Sequence, residues 1–469
     1  MTPQSLIEAP ATDEPERMAQ QSWQVEPQWE PVPGGVRISR GADSGRALVA
    51  VVGLGSVGLP SALALRRAGF EIVGIDTSLA RLNAIRGGRA DLLGVRSEDL
   101  RGSLDDEGLI VSDEIETAAA AELVMICVPT AVDSHGRPNI EALARTCSAL
   151  VEQARPGQTF VLTSTTYVGS TREMLVRPLA ERGLCVGEDV FVAFSAERLA
   201  PGSGDREQQA STRVVGGVTE ACYESAAQLL RPISQRLHRV SSPAAAEMVK
   251  LYESTFRAVN IALAFEMADA CRAQALDPVE VTDAAATKGS GFMAHYPTAG
   301  VGGHGVGLDP HHLLAPLRER GCPATLSEEA LRIVAERPYR VAMRAHELLL
   351  RSGRALREVR VLVVGASYKV GVSDCTNAPA IEIISRLQAE GAYVDFHDPL
   401  VPSLMIDGEE LYGVDPDPRR DASGFGPEDY ELAILVGLQP GFDYGWLARC
   451  PQVLDCTYRE RTGRRHFLL

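Results

Sequence analysis

The residue types best suited to catalysis lie around one glycine-dense loop, VGGHGVGLDP, at residues 301–310. His304 and Asp309 carry the only reactive side chains in this loop, and Gly305 at its middle has no side chain at all. An aspartate can accept a proton, but attack on a carbon atom would have to come from one of these two side chains, because the ten residues contain no Cys, Ser, Thr, Lys or Tyr. The loop therefore fits a working enzyme, an altered enzyme or a binding relic.

Lysine is rare in this chain, which makes each lysine informative. Of 46 lysines and arginines, only Lys250, Lys288 and Lys369 are lysine. Arginine serves a solvated surface as well as lysine does, whereas a compact ammonium, or an amine that gives up its proton, requires lysine. The three lysines are thus candidates for a site. The alternative is that they are chance survivors on solvated faces.

Composition excludes several classes of protein. The net charge of -16 argues against a nucleic-acid partner, and no apolar stretch is long enough to span a membrane. The nine cysteines are scattered without a C-x-x-C pair, so neither a zinc site nor a disulfide framework is expected. With no signal peptide recognised, we expect a cytoplasmic protein with reduced thiols.

Alternating strand and helix patterns predict where these residues are held. The predicted strands of the first part are ALVAVVGLG (47–55), FEIVGID (70–76), ELVMICVPT (122–130), QTFVLTSTT (158–166) and DVFVAFS (189–195). A second alternating unit contains VRVLVVGASYK (359–369), AYVDFHDP (392–399) and ELAILVG (431–437). Such alternation predicts parallel sheets with crossover helices.

One long helix is predicted between the two sheet units. Residues 243–275 have apolar residues at helical spacing and neither Pro nor Gly after the first position. The fold class is therefore α/β, with two Rossmann-like doubly wound domains joined by a central domain built on a long helix. The predicted boundaries are a disordered tail at 1–45, a dinucleotide-binding domain at 46–242, the central domain at 243–335 and a second Rossmann-like domain at 336–469. The apolar excess of the long helix predicts a homodimer contact.

A dinucleotide-binding fingerprint follows the first strand. Gly53, Gly55 and Gly58 have the G-x-G-x-x-G spacing, in a turn that also contains Ser56 and Val57. Such a turn lets the backbone approach a pyrophosphate at a helix N-terminus. Asp76, at the end of the next strand, is placed to accept a hydrogen bond from a ribose 2′-hydroxyl and to repel a 2′-phosphate. The sequence thus predicts NAD rather than NADP, with Arg81 near the pyrophosphate or ribose.

Further motifs resemble the UDP-glucose/GDP-mannose dehydrogenase family, and in particular its UDP-N-acetylhexosamine dehydrogenases. They are CVPT (127–130), STTYVGST (164–171), FSAERLAPG (194–202), AEMVKLYESTFRAVNIAL (246–263), AAATKGSGFMAHYPTAGVGGHG (284–305), YKVGVSD (368–374) and FHDP (396–399). The resemblance implies oxidation of a nucleotide-sugar alcohol with NAD. In this family, two successive oxidations convert the alcohol to a carboxylate.

The resemblance also implies roles for particular residues. Lys250 and Asp309 would act at the reacting alcohol, with Ser254 beside them on the long helix. Thr130 and Thr165 would line the nicotinamide side, and Glu197 would lie where cofactor and substrate meet. The nucleotide sugar would be bound by Glu197, Arg198, Lys250, Arg257, Tyr296, Gly302, Gly303 and Lys369. Without the resemblance, the threonines and Glu197 are ordinary polar residues at strand ends.

The chain departs from the family pattern at several of these positions. The family's catalytic cysteine is replaced by Gly305, the proline two residues later by Gly307, and the helix asparagine by Ser254. In the segment DCTNAP (374–379), Thr376 and Asn377 replace an arginine and a glutamate. In the family the cysteine captures the aldehyde so that a second hydride can leave, and glycine cannot do this.

Three functions remain open. The protein could stop after one oxidation, at an aldehyde or ketone. It could catalyse a redox-neutral reaction such as epimerisation, in which NAD is reduced and reoxidised within a turnover. It could also be an inert homologue that binds NAD or a nucleotide sugar. A loop cysteine such as Cys322 replacing the thiol is a further alternative.

Overall fold

Ten strands lie in the described residues between 47 and 240. These are β1 (Leu48–Val52), β2 (Glu71–Ile75), β3 (Leu109–Ser112), β4 (Leu123–Ile126), β5 (Ala131–Val132), β6 (Pro138–Asn139), β7 (Thr159–Leu162), β8 (Phe191–Phe194), β9 (Thr212–Gly217) and β10 (Arg236–Val240). The computed structural model describes residues 47–89, 95–133, 136–198, 212–416, 425–458 and 466–469, so the predicted tail lies outside the described residues.

The first sheet has eight strands in the order β10-β9-β8-β7-β4-β1-β2-β3. The six neighbouring strands β8, β7, β4, β1, β2 and β3 are parallel, whereas β9 pairs with β8 antiparallel. Its central strands are rich in valine and isoleucine and almost fully buried, as expected for a parallel sheet covered on both faces. The chain reverses its direction of winding between β1 and β4. A doubly wound sheet binds ligands at this point, outside the carboxyl ends of its strands.

In the described residues of this part of the chain, six α-helices connect or cover these strands. They are α1 (Gly58–Arg67), α2 (Leu79–Arg86), α3 (Ser97–Asp105), α4 (Glu141–Glu152), α5 (Arg177–Glu181) and α6 (Glu220–Leu230). A π-helical segment, Arg172–Val176, leads directly into α5. Two apolar clusters lie on the two faces of the sheet and form the core of this part of the chain.

The predicted long helix is α7 (Pro243–Ala273), with 31 residues. Ser242 caps its N-terminus by accepting a hydrogen bond from the backbone N–H of Ala245, and proline occupies the first turn, where its missing N–H costs nothing. The helix is followed by α8 (Pro278–Ala286), α9 (Asp309–Glu319) and α10 (Thr325–Arg351). Because α7 packs against α9, α10 and β9, it joins the first sheet to the rest of the chain.

The last part of the chain forms a second parallel sheet. Its strands are β11 (Arg360–Val364), β12 (Tyr393–His397), β15 (Leu432–Leu435), β16 (Val453–Asp455) and β17 (His466–Leu468), in the order β12-β11-β15-β16-β17. The hairpin β13 (Ser403–Ile406) and β14 (Glu409–Tyr412) and the helix α11 (Pro379–Ala389) complete it. The predicted fold class, α/β with two Rossmann-like sheets and a long helix between them, is confirmed.

The sequence patterns located eight of the thirteen strands described in the two large sheets. Each predicted strand contains an observed one, but β3, β9, β10, β16 and β17 of these sheets were not predicted, nor were the short hairpin strands β5, β6, β13 and β14. Three of the five residues of β10, RLHRV, are exposed and the other two are half-buried, so this edge strand lacks the apolar run by which the central strands were recognised. The predicted boundary between residues 335 and 336 falls within α10.

Candidate active site

The glycine turn after β1 has the backbone conformation that its spacing predicts. Gly53 has φ +92°, and a Cβ there would lie 2.7 Å from the carbonyl oxygen of Cys127. A Cβ on Gly58 would lie 1.7 Å from the carbonyl oxygen of Gly53. Both positions therefore require glycine so that the turn can pack against β4 and the start of α1.

Gly55 differs from the other two glycines because a Cβ at this position would meet no heavy atom within 4 Å. Ser56 beside it is exposed, Val57 is half-buried, and α1 begins at Gly58. In the described part of the chain, no backbone carbonyl accepts a hydrogen bond from Ser56 N–H. The open surface over Gly55 and the helix N-terminus next to it fit the pyrophosphate of a dinucleotide.

Asp76 fastens the same turn to the end of β2. Its Oδ2 accepts a hydrogen bond from Leu54 N–H and its Oδ1 accepts one from Ser78 N–H, both at 2.8 Å. A carboxylate oxygen accepts two hydrogen bonds, so both oxygens keep a lone pair for a ribose hydroxyl. Arg81 lies in the first turn of α2, two residues after its start. The residues around the turn thus fit NAD.

Two threonines connect the carboxyl ends of neighbouring strands. Thr130 follows β4, Thr165 follows β7, and the Thr130 hydroxyl donates to the Thr165 carbonyl oxygen at 2.6 Å. Because β4 and β7 are adjacent and parallel, both threonines lie at the sheet edge where the glycine turn also lies. The structure therefore brings together the residues predicted for the pyrophosphate and for the nicotinamide.

Glu197, three residues beyond β8, forms a buried ion pair that the sequence did not predict. Its Oε2 accepts a hydrogen bond from the Nη2 of Arg213 on β9, and its Oε1 accepts one from Arg198 N–H. The Arg213 side chain is 4% exposed, and its Nη1 has no hydrogen-bond partner among the described residues. Arg213 was missed because nothing in STRVVGG (211–217) marks this arginine as buried.

Lys250, Ser254 and Asp309 meet at one carboxylate oxygen. Lys250 and Ser254 are four residues apart on α7 and therefore lie on the same face of the helix. Ser254 Oγ donates to Asp309 Oδ2 at 2.8 Å, and Lys250 Nζ lies 3.5 Å from the same oxygen. Asp309 begins α9 and is almost fully buried, whereas the Lys250 side chain is 20% exposed. The three residues form a connected group that can hold and move a proton.

Burial raises the pKa of the Asp309 carboxyl above its ordinary value, while Lys250, Ser254 and His304 oppose this increase. A raised pKa makes the carboxylate a stronger base than an exposed aspartate. Proton acceptance from an alcohol is therefore the chemistry this group supports best.

Gly305 lies next to this group. Its carbonyl oxygen accepts a hydrogen bond from Asp309 N–H at 2.8 Å, and a Cβ at position 305 would lie 3.9 Å from Asp309 Oδ2. No other heavy atom lies within 4 Å of that Cβ, and the backbone of Gly305 is outside the left-handed region. The position thus has room for a side chain directed towards the carboxylate.

The loop after β11 of the second sheet holds the first part of the 301–310 loop in place. A Cβ on Gly302 would lie 2.6 Å from Tyr368 Cβ, and one on Gly303 would lie 2.8 Å from the Tyr368 ring. Gly303 N–H donates to the Thr376 carbonyl oxygen at 2.7 Å, and Asn377 Nδ2 donates to the Gly303 carbonyl oxygen at 3.1 Å. These close contacts explain both glycines without a ligand.

The remaining predicted residues have varied surroundings. Arg198 binds the carboxylate of Glu253 and the carbonyl oxygen of Thr212, which occupies most of its donors. Tyr296 donates its hydroxyl to Asp283 at 2.7 Å, and Arg257 is exposed on α7. Lys369 lies in the loop after β11, next to Tyr368, while Lys288 is exposed after α8.

A cavity of about 930 Å³ opens beside the second sheet, away from the residues described above. It is lined by residues that include His397, Phe442, Trp446 and Arg449, and by none of the predicted site residues. In the described part of the chain, no helix is long and apolar enough to cross a membrane, and no cluster of His, Cys, Asp and Glu could hold a metal ion.

The doubly wound sheet, its glycine turn and Asp76 define an NAD-dependent dehydrogenase. Three models of the UDP-glucose/GDP-mannose dehydrogenase family match the chain: the NAD binding domain over residues 47–234, the central domain over 244–335 and the UDP binding domain over 362–423. The chain belongs to this family.

Proteins similar to this chain have related activities. The UDP-N-acetyl-D-mannosamine dehydrogenase of Pyrococcus horikoshii is 31% identical, over 75% of this chain and 84% of its own. The UDP-N-acetyl-D-glucosamine 6-dehydrogenase of Pseudomonas aeruginosa is 30% identical, over 78% of this chain and 86% of its own. The solved structure of UDP-D-ManNAc dehydrogenase from Pyrococcus horikoshii superposes with a TM-score of 0.80 at 27% identity, covering 90% of this chain and 98% of that one.

Proposed function

We propose that this protein oxidises the alcohol of a UDP-sugar with NAD and that the reaction stops after one hydride. The substrate class follows from the UDP binding domain and from the similar dehydrogenases of UDP-N-acetylhexosamines. The observation that carries the proposal is Gly305: Lys250 and Ser254 both contact the Asp309 carboxylate, while the open position beside this group has no thiol.

In this proposal, Asp309 takes the proton of the sugar hydroxyl. The Lys250 ammonium lies 3.5 Å from Asp309 Oδ2 and stabilises the charge that develops on the substrate oxygen, while the Ser254 hydroxyl holds the carboxylate in place. Bound NAD supplies the hydride acceptor. Gly53, Gly55, Ser56, Val57, Gly58, Asp76 and Arg81 would hold its phosphates and ribose, and Thr130 and Thr165 would lie on its nicotinamide side.

The second oxidation would need a nucleophile for the aldehyde, and the other cysteines are poorly suited to replace one at position 305. Burial raises the pKa of both the Cys127 and Cys375 thiols to about 12, so neither is a thiolate near neutral pH. Cys322 follows the far end of α9, about 16 Å from Asp309 along an 11-residue helix. A carbonyl product is therefore expected.

The nucleotide sugar would lie between Lys250, Gly302–Gly303 and Lys369, with Glu197, Arg198, Arg257 and Tyr296 around it.

The proposed domain boundaries at residues 46, 243 and 336 are those inferred from the sequence. We propose the cytoplasm as the location, because all nine cysteines are unpaired.

We further propose a homodimer through α7. Five large apolar side chains lie along one face of this helix with 41–65% exposure, and they are Met248, Tyr252, Phe256, Leu263 and Met267. The wild type should have twice the mass of one chain in light scattering, and Leu263→Asp should shift it to one. Leu350→Asp, on an exposed apolar residue of α10, is the control and should leave the mass unchanged.

The function is tested by incubating the protein with NAD and a panel of nucleotide sugars. The expected result is about one NADH per molecule of a UDP-sugar, with a product two mass units lighter that a hydrazide traps. Two NADH per sugar and a carboxylate would refute the one-hydride proposal. Turnover without net NADH would indicate the redox-neutral reaction instead.

A further inference from the structure

Glu247 is a fully engaged buried carboxylate that the proposed mechanism does not use. It lies on α7, one turn before Lys250, and is 1% exposed. Its Oε2 accepts a hydrogen bond from Gly169 N–H at 2.5 Å. Its Oε1 accepts three, from Ser170 Oγ at 2.9 Å and from Thr171 N–H and Oγ1 at 2.9 and 2.6 Å. The four bonds together equal the roughly four acceptor sites of an ionised carboxylate, although three of them converge on Oε1.

The three residues that donate these bonds open a helix on a different part of the chain. Gly169, Ser170 and Thr171 directly precede the π-helical segment Arg172–Val176, which continues into α5. The first N–H groups of a helix have no partner within it, and they favour a negative charge. Glu247 supplies that charge from α7, so this contact caps one helix and fixes the position of another.

The residues on both sides of this contact belong to the candidate active site. Thr165 lies four residues before Gly169, and its carbonyl oxygen binds Thr130. Lys250 and Ser254 lie three and seven residues after Glu247 on α7, so they move with that helix as a unit. The contact with Glu247 therefore sets the distance between the nicotinamide side of the site and the acid–base group.

We propose that Glu247 is a positioning residue that holds Lys250 and Ser254 in register with the strand ends for hydride transfer. This inference rests on the proposed function. An amide at this position would direct an NH₂ group at one of the four donors, so the contact requires the carboxylate. Misplacing catalytic groups by about 1 Å can lower a rate by about 10², even when the fold is kept.

The test compares Glu247→Gln and Thr171→Val with a control of similar structural cost. Ser225→Ala is suitable, because it removes a buried hydroxyl pair at 2.6 Å with Thr159 in the same sheet domain without touching α7. For each protein one measures kcat, the Kd of NAD, the melting temperature, and the isotope effect with a substrate deuterated at the reacting carbon. Hydrogen exchange of residues 167–176 reports whether the contact is broken.

Glu247→Gln should lower kcat by about tenfold or more and Thr171→Val by a smaller factor, both with a larger isotope effect and an NAD Kd within about twofold of wild type. Ser225→Ala should lower the melting temperature as much as Thr171→Val does, while its kcat stays within about twofold of wild type. If Glu247→Gln does not fold, Thr171→Val decides. Equal kcat losses in Thr171→Val and Ser225→Ala, or an unchanged kcat with lost exchange protection, would overturn the positioning role. If the wild type oxidises none of the sugars, the proposed function is refuted, and the positioning role that rests on it is refuted too.

Discussion

Restoring a thiol at position 305 tests the proposal that the missing nucleophile limits the reaction to one hydride. The wild type is expected to form about one NADH per UDP-sugar. In Gly305→Cys, the new thiol would lie beside Asp309 and could capture the aldehyde. The yield should then exceed one NADH per sugar, and some product should be a carboxylate. Only part of the product should be carboxylate, because Ser254, Thr376 and Asn377 still stand where the family is expected to have asparagine, arginine and glutamate.

The structure predicts that this substitution hardly affects stability. The nearest heavy atom to the new Cβ is Asp309 Oδ2 at 3.9 Å, and the backbone at 305 is outside the left-handed region. Replacing glycine at such a site stabilises by about 0.4–1 kcal/mol, because the unfolded chain loses freedom. Since 1 kcal/mol shifts the melting temperature of a 150–250-residue domain by about 2–4 °C, the melting temperature should rise by no more than about 4 °C.

The assay measures NADH by absorbance and the product by mass spectrometry, with limiting sugar and excess NAD. Gly305→Ala controls for the added Cβ. Gly307→Cys places a thiol two residues away, at a position with no heavy atom within 4 Å and an equally unstrained backbone. Both controls should remain at about one NADH per sugar.

Two results would refute the reasoning. A fall in melting temperature of more than about 5 °C in Gly305→Cys would show that the space at 305 does not exist. Equal carboxylate yields from Gly305→Cys and Gly307→Cys would show that the position of the thiol does not matter.

Three further predictions concern charged residues. Asp76→Ala should raise the Kd of NAD more than that of NADP, because it removes a ribose acceptor and a repulsive charge; equal losses would contradict its role. Lys250→Arg should lower kcat about 10² or more while the melting temperature stays within a few degrees, and activity within twofold would exclude a catalytic amine. Asp309→Asn should abolish turnover. Burial raises the pKa of Asp309, so the folded wild type loses stability as pH rises from the ordinary carboxyl range through that raised pKa. Asp309→Asn should therefore be the more stable protein at pH 8 but not near pH 3, and a difference independent of pH would contradict this.

The sequence predicted the cofactor turn well because its requirements are local. A tight turn and a close helix start demand glycine at residues 53 and 58 whatever surrounds them, and the spacing to Asp76 follows from one crossover helix. The contact of Lys250 and Ser254 with Asp309, which lies more than 50 positions later in the chain, depends on the packing of α7 against α9. Their roles came from the resemblance, although the four-residue spacing on α7 already placed two of them on one face.

The contacts that sequence reasoning missed join residues far apart in the chain. Glu197 follows β8 and forms an ion pair with Arg213 of β9. Thr376 and Asn377, in the loop after β11, form hydrogen bonds with Gly303. No local pattern encodes such pairs. Glu247 did leave a signal, because it lies on the same helical face as Leu251 and Ser254, where an unpaired acid would be costly.

The positions proposed to distinguish this chain from the rest of its family are connected through one loop. Ser254 binds Asp309, Asp309 binds the backbone of Gly305, and Thr376 and Asn377 bind Gly303. The cofactor turn contains all three glycines of the dinucleotide-binding fingerprint. Gly53 and Gly58 would be retained even in an inert protein, because any side chain there collides with the backbone. Gly55 is different: no atom within 4 Å requires glycine there, and a side chain would occupy only the surface that a pyrophosphate approaches. Its glycine is therefore expected in a protein that binds NAD, and it favours an active enzyme over an inert homologue.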